Sequence, residues 1–479
     1  MTQASTASPS GRLSLGTILA FAGTSLPLSA LAIAISVYLP RYFASHIGVE
    51  LAVVGAVFAL VRAIDIPLDP ALGMIMDRTR TRWGRYRIWT VIGAPILMIA
   101  LIMLFQAPEG SGQLYLGGWL LIMYLGTSIL GLSHSAWAAT LATNYHERSR
   151  IFAVMTAVGV LGSVLVLVIP IVLEQQGLTD AQGVQAMGWF IIGLTPVAVA
   201  LVVWRTPEKI TVDVGGKHFN LHDYWALISR PNMIRILLAD LCLALGPGWM
   251  AALYLFYFKD ARGFSTSEAN ILLLVYILAG FAGAPSVGWL ANRISKHRAV
   301  MVTTTGYSLM LMMVGFLPKG SMMLALPAMF MAGFLAAGFG VMTRAITADI
   351  GDEVRLDGGK ERIGLIYALT VLTGKVAGAF SIFLTFTVLA RVGYNAKEGA
   401  TNTAQAIHNL ELAYLIGPIV FVMLGGACFI GYKLDATSHA EVRRKLEERD
   451  ALYDEAPIIE SVTATPGNIL PIEPDASRP

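Results

Sequence analysis

The chain has 479 residues, of which 56% are hydrophobic and 14% are charged, with a formal net charge of +3 at pH 7. A soluble globular protein carries about 25% charged residues, so this composition disfavours a soluble enzyme, a nucleic-acid-binding module and a disulfide scaffold. The two cysteines, Cys242 and Cys428, lie in apolar segments, which predicts small buried side chains rather than a disulfide framework or a metal site.

Runs of about 20 apolar residues recur along the chain, as in helices that cross a bilayer. We therefore predict an all-α membrane protein with twelve transmembrane helices, near 14–41, 51–76, 88–106, 114–143, 151–173, 185–205, 233–258, 267–292, 299–317, 321–348, 363–391 and 408–433. The longest internal loop, 206–232, separates an N-terminal half, 1–205, from a C-terminal half, 233–433. In the tail, 434–479, EVRRKLEERD suits a solvated helix, and the remainder is expected to be disordered.

Basic residues are concentrated in the loops that follow the even-numbered helices. Arginines crowd the segment 78–87, whereas the loops on the other side hold only Lys259, Arg262, Lys319 and Lys397. Because short cytoplasmic loops carry an excess of Lys and Arg, both termini are predicted to be cytoplasmic in a multi-pass protein of the plasma (bacterial inner) membrane. The expected partners are the lipid bilayer and a small-molecule substrate. We expect no nucleic acid and a monomer.

A motif at the end of the second helix returns at the end of the eighth. The two copies read Pro70-x-x-Gly73-x-x-x-Asp77-Arg78 and Pro285-x-x-Gly288-x-x-x-Asn292-Arg293, and each is followed by a basic loop. The repeat predicts two pseudo-symmetric six-helix halves, an architecture in which the solute binds between the halves and one half rocks against the other.

The repeated motif also predicts a conformational latch at the inner helix ends. Glycines allow helices to approach closely, and arginines can bind carboxylates and helix C-termini. The predicted latch residues are Gly73, Asp77, Arg78, Gly288 and Arg293, with Arg344 and Asp349 near the inner end of the tenth helix. The alternative is a helix stop followed by a basic anchor.

Charged residues inside apolar helices are costly and commonly mark a path for an ion or a substrate. In the second helix, Asp65 and Asp69 are four residues apart and share one face, with Arg62 one turn before Asp65. Two stacked carboxylates repel each other unless a cation or a proton lies beside them. The pair therefore predicts a cation-coupling site, and the alternative is an ion-pair cluster that only ties helices together.

Two further charges lie within predicted helices. Lys375 is deep in the eleventh helix and could neutralise an aspartate of the second helix when no cation is bound; the alternative is a lysine that extends to the interface. Asp240 lies nearer the end of the seventh helix, where it could pair with Arg235.

Candidate substrate-binding residues come from polar and aromatic side chains in the helices. A buried His134 could titrate or bind a solute, and the aromatic face of Trp137, one turn later, could stack on a sugar. The full set is Ser133, His134, Trp137, Tyr38 and Trp249. Packing and interfacial aromatic belts are the alternatives for these residues.

The segment DIPLDPALGMIMDRTRTRWGRYR resembles the signature of the glycoside–pentoside–hexuronide:cation symporters, the melibiose-permease branch of the major facilitator superfamily. The matching residues are Arg62, Asp65, Asp69, Pro70, Gly73, Arg82, Trp83, Gly84 and Trp89. A second segment, ADIGDEVRLDGGKERIGLIYALTVLTGKVAGAF, resembles the family's loop 10–11 and helix 11 signature, with Lys375 at its lysine, and Trp137 falls at the family's helix 4 tryptophan. The likeness extends over about residues 14–433.

The resemblance implies that Asp65 and Asp69 bind the coupling cation, that Lys375 communicates with them and that Arg62 supports the site. This chain departs from the permease at three positions. Ser133 stands about where a helix 4 acid lies, Thr156 near a helix 5 arginine, and the first helix has no aspartate in AFAGTSLPLSALAIAI. These differences leave the solute and the choice between H⁺ and Na⁺ open.

We therefore expect a secondary active symporter of a sugar, glycoside or related small organic solute, coupled to H⁺ or Na⁺. It needs no cofactor and no metal beyond a coupling Na⁺. One alternative is an amphiphile such as a lysolipid carried on the same fold, and another is a non-transporting membrane sensor. An enzyme is not expected, because no nucleophile–base pair, HExxH motif or phosphate-binding loop occurs in a suitable context.

Overall fold

A computed structural model describes residues 13–79, 81–141, 145–208, 225, 227–358 and 363–454. The chain is folded into long helices, and no strand occurs within these ranges. In chain order they are α1 (Leu15–His46), α2 (Leu51–Arg78), α3 (Arg87–Phe105), α4 (Gln113–Leu141), α5 (Tyr145–Gln175), α6 (Asp180–Arg205), α7 (Pro231–Ala261), α8 (Thr266–Ile294), α9 (Lys296–Gly315), α10 (Met322–Gly358), α11 (Ile363–Arg391), α12 (Ala404–Ala427) and α13 (Ala436–Asp454).

Within the described residues, 11 of these helices are long and apolar enough to cross a membrane. The helix α9 has 20 residues but is more polar, because it begins Lys-His-Arg and carries three consecutive threonines. It occupies the place of the predicted ninth span, so α1–α12 correspond to the twelve predicted helices. The main differences lie at helix ends, since α10 continues to Gly358 and α12 ends at Ala427.

The two halves of the chain have the same internal packing. In the N-terminal half α1 packs on α5, α2 on α4, α3 on α4 and α3 on α6. The corresponding pairs recur in the C-terminal half, where α7 packs on α11, α8 on α10, α9 on α10 and α9 on α12. The contacts between halves are also related, with α2 against α11 and α8 against α5. The predicted pair of pseudo-symmetric halves is therefore confirmed.

Glycines set the distance between α8 and α10. A Cβ atom at Gly283 would lie 2.1 Å from the carbonyl oxygen of Phe334, and one at Gly333 would lie 2.0 Å from that of Tyr276. Small residues at a membrane interface let two backbones approach this closely. Neither position can accept a larger side chain without separating α8 from α10.

The glycines of the repeated motif are placed differently. Neither Gly73 nor Gly288 has an atom within 4 Å of the point where a Cβ would lie. The expectation that they bring helices into close contact is therefore not met in this arrangement of the halves. The two motif copies do lie at the ends of α2 and α8. No neighbouring helix packs against their glycines.

The helix α1 is not regular throughout, because π-helical turns occupy Ala34–Tyr38 and Tyr42–His46. A π-helical turn inserts a residue into the helical repeat and often occurs where a functional side chain must be presented. Here the irregular part of α1 faces the C-terminal half, since it contacts α7.

The charged segment after α12 forms α13, as predicted for EVRRKLEERD. Asp435 accepts hydrogen bonds from the Ser438 amide at 2.9 Å and the Thr437 hydroxyl at 2.7 Å, and these bonds lower the pKa of its carboxyl to about 2. His439 Nε2 lies 3.1 Å from Asp352 Oδ2, so α13 rests on α10. Residues 455–479 and most of the central loop 206–232 lie outside the described residues.

Candidate functional site

The two aspartates of α2 lie beside the lysine of α11, close to the middle of both helices. Lys375 Nζ is 2.9 Å from Asp65 Oδ2 and forms a second ion pair with Asp69 Oδ2. One lysine from the C-terminal half thus binds two carboxylates of the N-terminal half. The spacing of four residues placed both carboxylates on one face of α2, and the packing of α2 on α11 brings that face to Lys375.

Asp65 is the more enclosed of the two acids, with a side chain 1% exposed. Its Oδ2 also accepts a hydrogen bond from Arg62 Nη1 at 3.0 Å, and its Oδ1 accepts one from the Ser128 hydroxyl at 3.1 Å. The Arg62 guanidinium lies over the Tyr124 ring, 4.3 Å from its centroid. Asp65 is therefore fixed by partners from α2, α4 and α11.

Asp69 is held less firmly than Asp65. Its Oδ1 is buried and has no hydrogen-bond partner, while Oδ2 is bound to Lys375. A buried polar atom without a partner is uncommon in native proteins and needs an explanation. A proton or a metal cation on Oδ1 would supply the missing interaction.

The cluster is electrically balanced as it stands, because Arg62 and Lys375 offset Asp65 and Asp69. Oxygen ligands that could hold a hard cation such as Na⁺ are the two carboxylates and the Ser128 hydroxyl. A cation entering there would compete directly with Lys375. No group of three or more His, Cys, Asp or Glu residues suited to a metal ion occurs in the described part of the chain.

The candidates on α4 are packed inside the N-terminal half. His134 Nε2 lies 2.9 Å from the Phe21 carbonyl oxygen, and its ring stacks on the Phe21 ring at 4.5 Å. Trp137 is fully buried, and its Nε1 donates to the Pro207 carbonyl at 3.4 Å. The Ser133 hydroxyl bonds the Thr90 hydroxyl at 3.1 Å. In this arrangement all three contribute to packing, and their roles in binding solute stay predictions.

The other two aromatic candidates lie in the contacts of α7 and α1. Trp249 Nε1 donates to the Ala413 carbonyl at 2.9 Å, and a Cβ at Gly417 would lie 2.3 Å from its ring. It therefore joins α7 to α12. The Tyr38 hydroxyl donates a short hydrogen bond to Asn270 Oδ1 of α8, which links the two halves, and Tyr38 also lines a cavity described below.

The predicted latch residues whose side chains are described do not form one cluster. The Arg293 guanidinium lies 4.6 Å from the Trp289 ring centroid on its own helix, and Asp349 binds Lys296 Nζ with both oxygens at 2.7 Å. Arg78 and Arg344 are exposed, while the side chain of Asp77 lies outside those described.

The suggested pair of Asp240 with Arg235 is wrong. The Thr373 hydroxyl of α11 donates to Asp240 Oδ2 at 2.5 Å, and Arg235 Nη1 instead donates to the Ile430 carbonyl at 3.1 Å. The two residues are five positions apart on α7, so they do not share the face that residues three or four apart would share.

We call the end of the bundle that carries the loops after odd-numbered helices the odd-loop end, and the opposite end the even-loop end. At the odd-loop end, pairs of polar and charged side chains join the halves. Arg41 Nη2 lies 3.1 Å from Asp260 Oδ1, Lys259 binds Asp180, and His46 Nδ1 lies 3.2 Å from Glu398 Oε2. Of these residues, only Lys259 stands out in the sequence, as one of the few basic residues of the odd loops.

A backbone contact reinforces this closure. Glu174, near the end of α5, accepts hydrogen bonds from the amides of Thr266 at 3.2 Å and Ser267 at the start of α8. Outside the cluster of Asp65, Asp69 and Lys375, the described ion pairs between the halves all lie at the odd-loop end.

A cavity of about 580 Å³ lies among these inter-half contacts. Its wall includes Tyr38 and Arg41 from α1, Asp180 from α6, Lys259 from α7 and Tyr394 from the connection between α11 and α12. The cavity combines aromatic faces with paired charges, a lining that suits a polar organic molecule.

Comparison with known proteins agrees with this architecture. Residues 20–436 match the family of MFS/sugar transport proteins. The chain is 24% identical over 444 residues to the isoprimeverose transporter of Lactiplantibacillus pentosus, covering 88% of this chain and 90% of that one. It is 24% identical over 416 residues to the lactose permease of Leuconostoc lactis, covering 82% of this chain and 64% of the permease.

The fold also matches solved structures. The crystal structure of the nucleoside transporter NupG superposes with a TM-score of 0.63 and 14% sequence identity, covering 88% of this chain and 100% of that one. At this identity the likeness concerns the fold alone. Since the family match spans most of the chain and the helices form two related six-helix halves, this protein belongs to the MFS/sugar transport family and is a membrane transporter rather than an enzyme.

Proposed function

We propose that this chain is a cation-coupled symporter of a sugar or glycoside, with Asp65 and Asp69 as the cation site and Lys375 as the switch. The observation that carries the proposal is the pair of bonds from Lys375 to both aspartates across the two halves. Relatives named as isoprimeverose and lactose transporters support a sugar as the solute.

The coupling follows from the charge balance of the cluster. Without an added cation, Lys375 and Arg62 together offset the two carboxylates, and Lys375 ties α11 to α2. A proton or Na⁺ arriving at Asp69 replaces part of that positive charge, so the bond from Lys375 to α2 weakens. The halves can then move relative to each other, and the cation is carried with the solute, as alternating access requires.

Two ions suit this site for different reasons. Na⁺ would take oxygen ligands from both carboxylates and from Ser128, whereas a proton needs only the unpartnered Oδ1 of Asp69. In both cases Arg62 holds Asp65 through its 3.0 Å hydrogen bond. Asp69, whose Oδ1 has no partner, is therefore the acid at which the coupling cation would arrive.

The membrane orientation is part of the proposal. The basic loops after the even-numbered helices support an orientation with the even-loop end and both termini in the cytoplasm of a bacterial inner membrane. The closed odd-loop end then faces outward, and the described conformation is open toward the cytoplasm.

The test uses purified protein in proteoliposomes. Accumulation of radiolabelled isoprimeverose and lactose is measured under an imposed pH gradient or an imposed Na⁺ gradient. We expect one of the gradients to drive uptake in the wild type and neither to do so in Asp69→Asn, while solute counterflow without a gradient persists in the variant.

Asp240→Asn is the matched control, because Asp240 is an acid within α7 that bonds Thr373 rather than Lys375. Undiminished uphill uptake in both Asp65→Asn and Asp69→Asn would refute the coupling role.

A further inference from the structure

We propose that the cavity at the odd-loop end is a solute-binding site, called the outer site, that binds a neutral glycoside while this end is closed. The proposal rests on the proposed function, which makes the odd-loop end the outer face. The volume of about 580 Å³ falls within the range of about 300–1,000 Å³ usual for small-molecule sites. Asp65, Asp69 and Lys375 do not line it, so the outer site is separate from the coupling cluster.

The charges of the wall favour a solute without net charge. Arg41 is paired with Asp260 at 3.1 Å, and Lys259 is paired with Asp180. An ion of either sign would meet a repelling partner beside each attracting one. A hydroxyl-rich neutral molecule does not have this difficulty, because each hydroxyl can donate to a carboxylate and accept from an adjacent cation.

The aromatic residues of the cavity add apolar faces to this polar wall. Tyr38 and Tyr42 come from the irregular part of α1, and Tyr394 comes from the connection between α11 and α12. The Tyr394 hydroxyl donates to Asp260 Oδ2 at 2.5 Å. Burial and the neighbouring Asp260 raise its pKa, so the hydroxyl stays protonated. Pyranose rings combine apolar faces with a rim of hydroxyls, which matches this alternation of ring faces and charged groups.

An unsatisfied hydrogen-bond donor lies next to Tyr38, which lines the cavity. Asn270 is fully buried one turn after Thr266, which lines the cavity, and its Oδ1 accepts the Tyr38 hydroxyl. Its Nδ2 is buried without a hydrogen-bond partner. A buried amide with an unmade hydrogen bond is unfavourable. A solute hydroxyl that takes the place of the Tyr38 hydroxyl can satisfy both ends of the Asn270 amide.

This geometry links outer binding to gate opening. Tyr38 belongs to the N-terminal half and Asn270 to the C-terminal half, so a solute inserted between them replaces a direct bond between the halves. Occupation of the outer site would therefore weaken the closure at the odd-loop end.

The test measures protection of an introduced cysteine. Ala400 lines the cavity near its rim, whereas Gln113 is exposed at the same end outside it. Ala400→Cys and Gln113→Cys are made separately in a background lacking Cys242 and Cys428. Right-side-out vesicles are treated with a membrane-impermeant maleimide, with and without isoprimeverose or lactose. We expect the sugar to slow labelling at Ala400→Cys at least threefold and to leave labelling at Gln113→Cys unchanged.

Two variants sharpen the result. Tyr38→Phe keeps the ring and removes the hydroxyl, so the sugar concentration that half-protects Ala400→Cys should change by roughly 5–10-fold, as expected for one hydrogen bond. Asp69→Asn abolishes coupling under the proposed function but should leave the protection intact. Labelling of Gln113→Cys in each variant confirms insertion and folding.

The outcomes separate the outer site from the proposed function. Protection in Asp69→Asn supports the outer site even if gradient-driven uptake is lost. If the wild type accumulates a sugar that protects Ala400→Cys no better than it protects Gln113→Cys, the outer site is overturned and symport stands. A half-protecting concentration that is the same in Tyr38→Phe and in the parent also overturns the role assigned to Tyr38 and Asn270.

Discussion

Lys375 Nζ of α11 lies 2.9 Å from Asp65 Oδ2 of α2, and this ion pair joins the two halves near the middle of the bundle. The same ammonium also binds Asp69. Because two acids and two basic residues are gathered in one place, the removal of any one charge leaves an imbalance in surroundings of low dielectric. The stability of the described conformation therefore depends on the net charge of this cluster.

We predict that Lys375→Met destabilises the protein and that a second substitution, Asp69→Asn, restores much of the loss. The single change leaves two carboxylates opposite Arg62 alone, and breaking a buried pair in this way costs about 3–5 kcal/mol. The double change returns the cluster to neutrality. Thermal unfolding of the purified variants in nanodiscs measures both effects. Equal unfolding temperatures for wild type and Lys375→Met would show that the lysine contributes no net stabilisation.

The coupling cluster could be predicted from the sequence because its members are unusual individually. A charge within an apolar helix is costly, so Asp65, Asp69 and Lys375 were conspicuous, and helical periodicity placed the two acids on one face. Only the identity of the contacting helix required the structure. The fold could be predicted for a similar reason, since the length of each apolar run and the number of runs can be read directly from the sequence.

The remaining site residues depended on helix rotation, which a sequence does not display. Trp249 and His134 are aromatic residues in membrane helices, but their hydrogen bonds to Ala413 and Phe21 direct them into packing contacts. The odd-loop pairs, such as Arg41 with Asp260, join residues far apart in the chain. No spacing rule connects them, because their distance is set by how the halves meet.

We predict that Gly84→Ala destabilises the loop between α2 and α3. Gly84 has φ +120°, and a Cβ there would lie 1.9 Å from Glu208 Oε2. Glu208 accepts hydrogen bonds from the amides of Arg85, Tyr86 and Arg87 at 2.6, 2.7 and 3.1 Å, and so caps the start of α3. Backbone strain and the lost cap together cost about 2–4 kcal/mol.

Glu208→Gln provides the comparison for this loop, because it keeps the glycine and the side-chain size while it removes the charge. Thermal unfolding should rank the variants as wild type, Glu208→Gln and Gly84→Ala, in decreasing stability. A Gly84→Ala protein as stable as the wild type would mean that Glu208 can cap α3 from another position.

We predict that Glu174→Gln favours opening of the odd-loop end. The carboxylate accepts two amide hydrogen bonds at the start of α8, where negative charge is stabilised by the helix dipole. If the closed odd-loop end loses about 1–2 kcal/mol of stabilisation, the fraction of molecules with this end open rises roughly 5–30-fold. α8 itself should stay intact, because its own capping box of Ser265 and Glu268 remains.

Labelling of Ala181→Cys, a buried position that lines the cavity, reports this opening. Its reaction with an impermeant maleimide should be faster in Glu174→Gln than in the parent. Glu109→Gln, an exposed acid in the α3–α4 turn, serves as the control and should have no effect. If both variants label at the parental rate, Glu174 does not hold the gate.

We predict that Gly73→Val traps the transporter in the conformation described here. Because no atom lies within 4 Å of a Cβ at Gly73, the new side chain starts in open space in this state, and we expect thermal stability to be unchanged. The motif position near the even-loop end would come into contact when that end closes, and an overpacked contact costs about 1–3 kcal/mol. Solute counterflow should therefore slow by roughly 5–150-fold, and labelling of Ala181→Cys should also fall.

Gly118→Val is the matched control, since a Cβ at Gly118 also meets open space but Gly118 lies on α4, outside the motif. Counterflow at the parental rate in Gly73→Val would show that this face of α2 stays uncovered throughout the cycle, and the latch assigned to the repeated motif would then have to act through its charges alone.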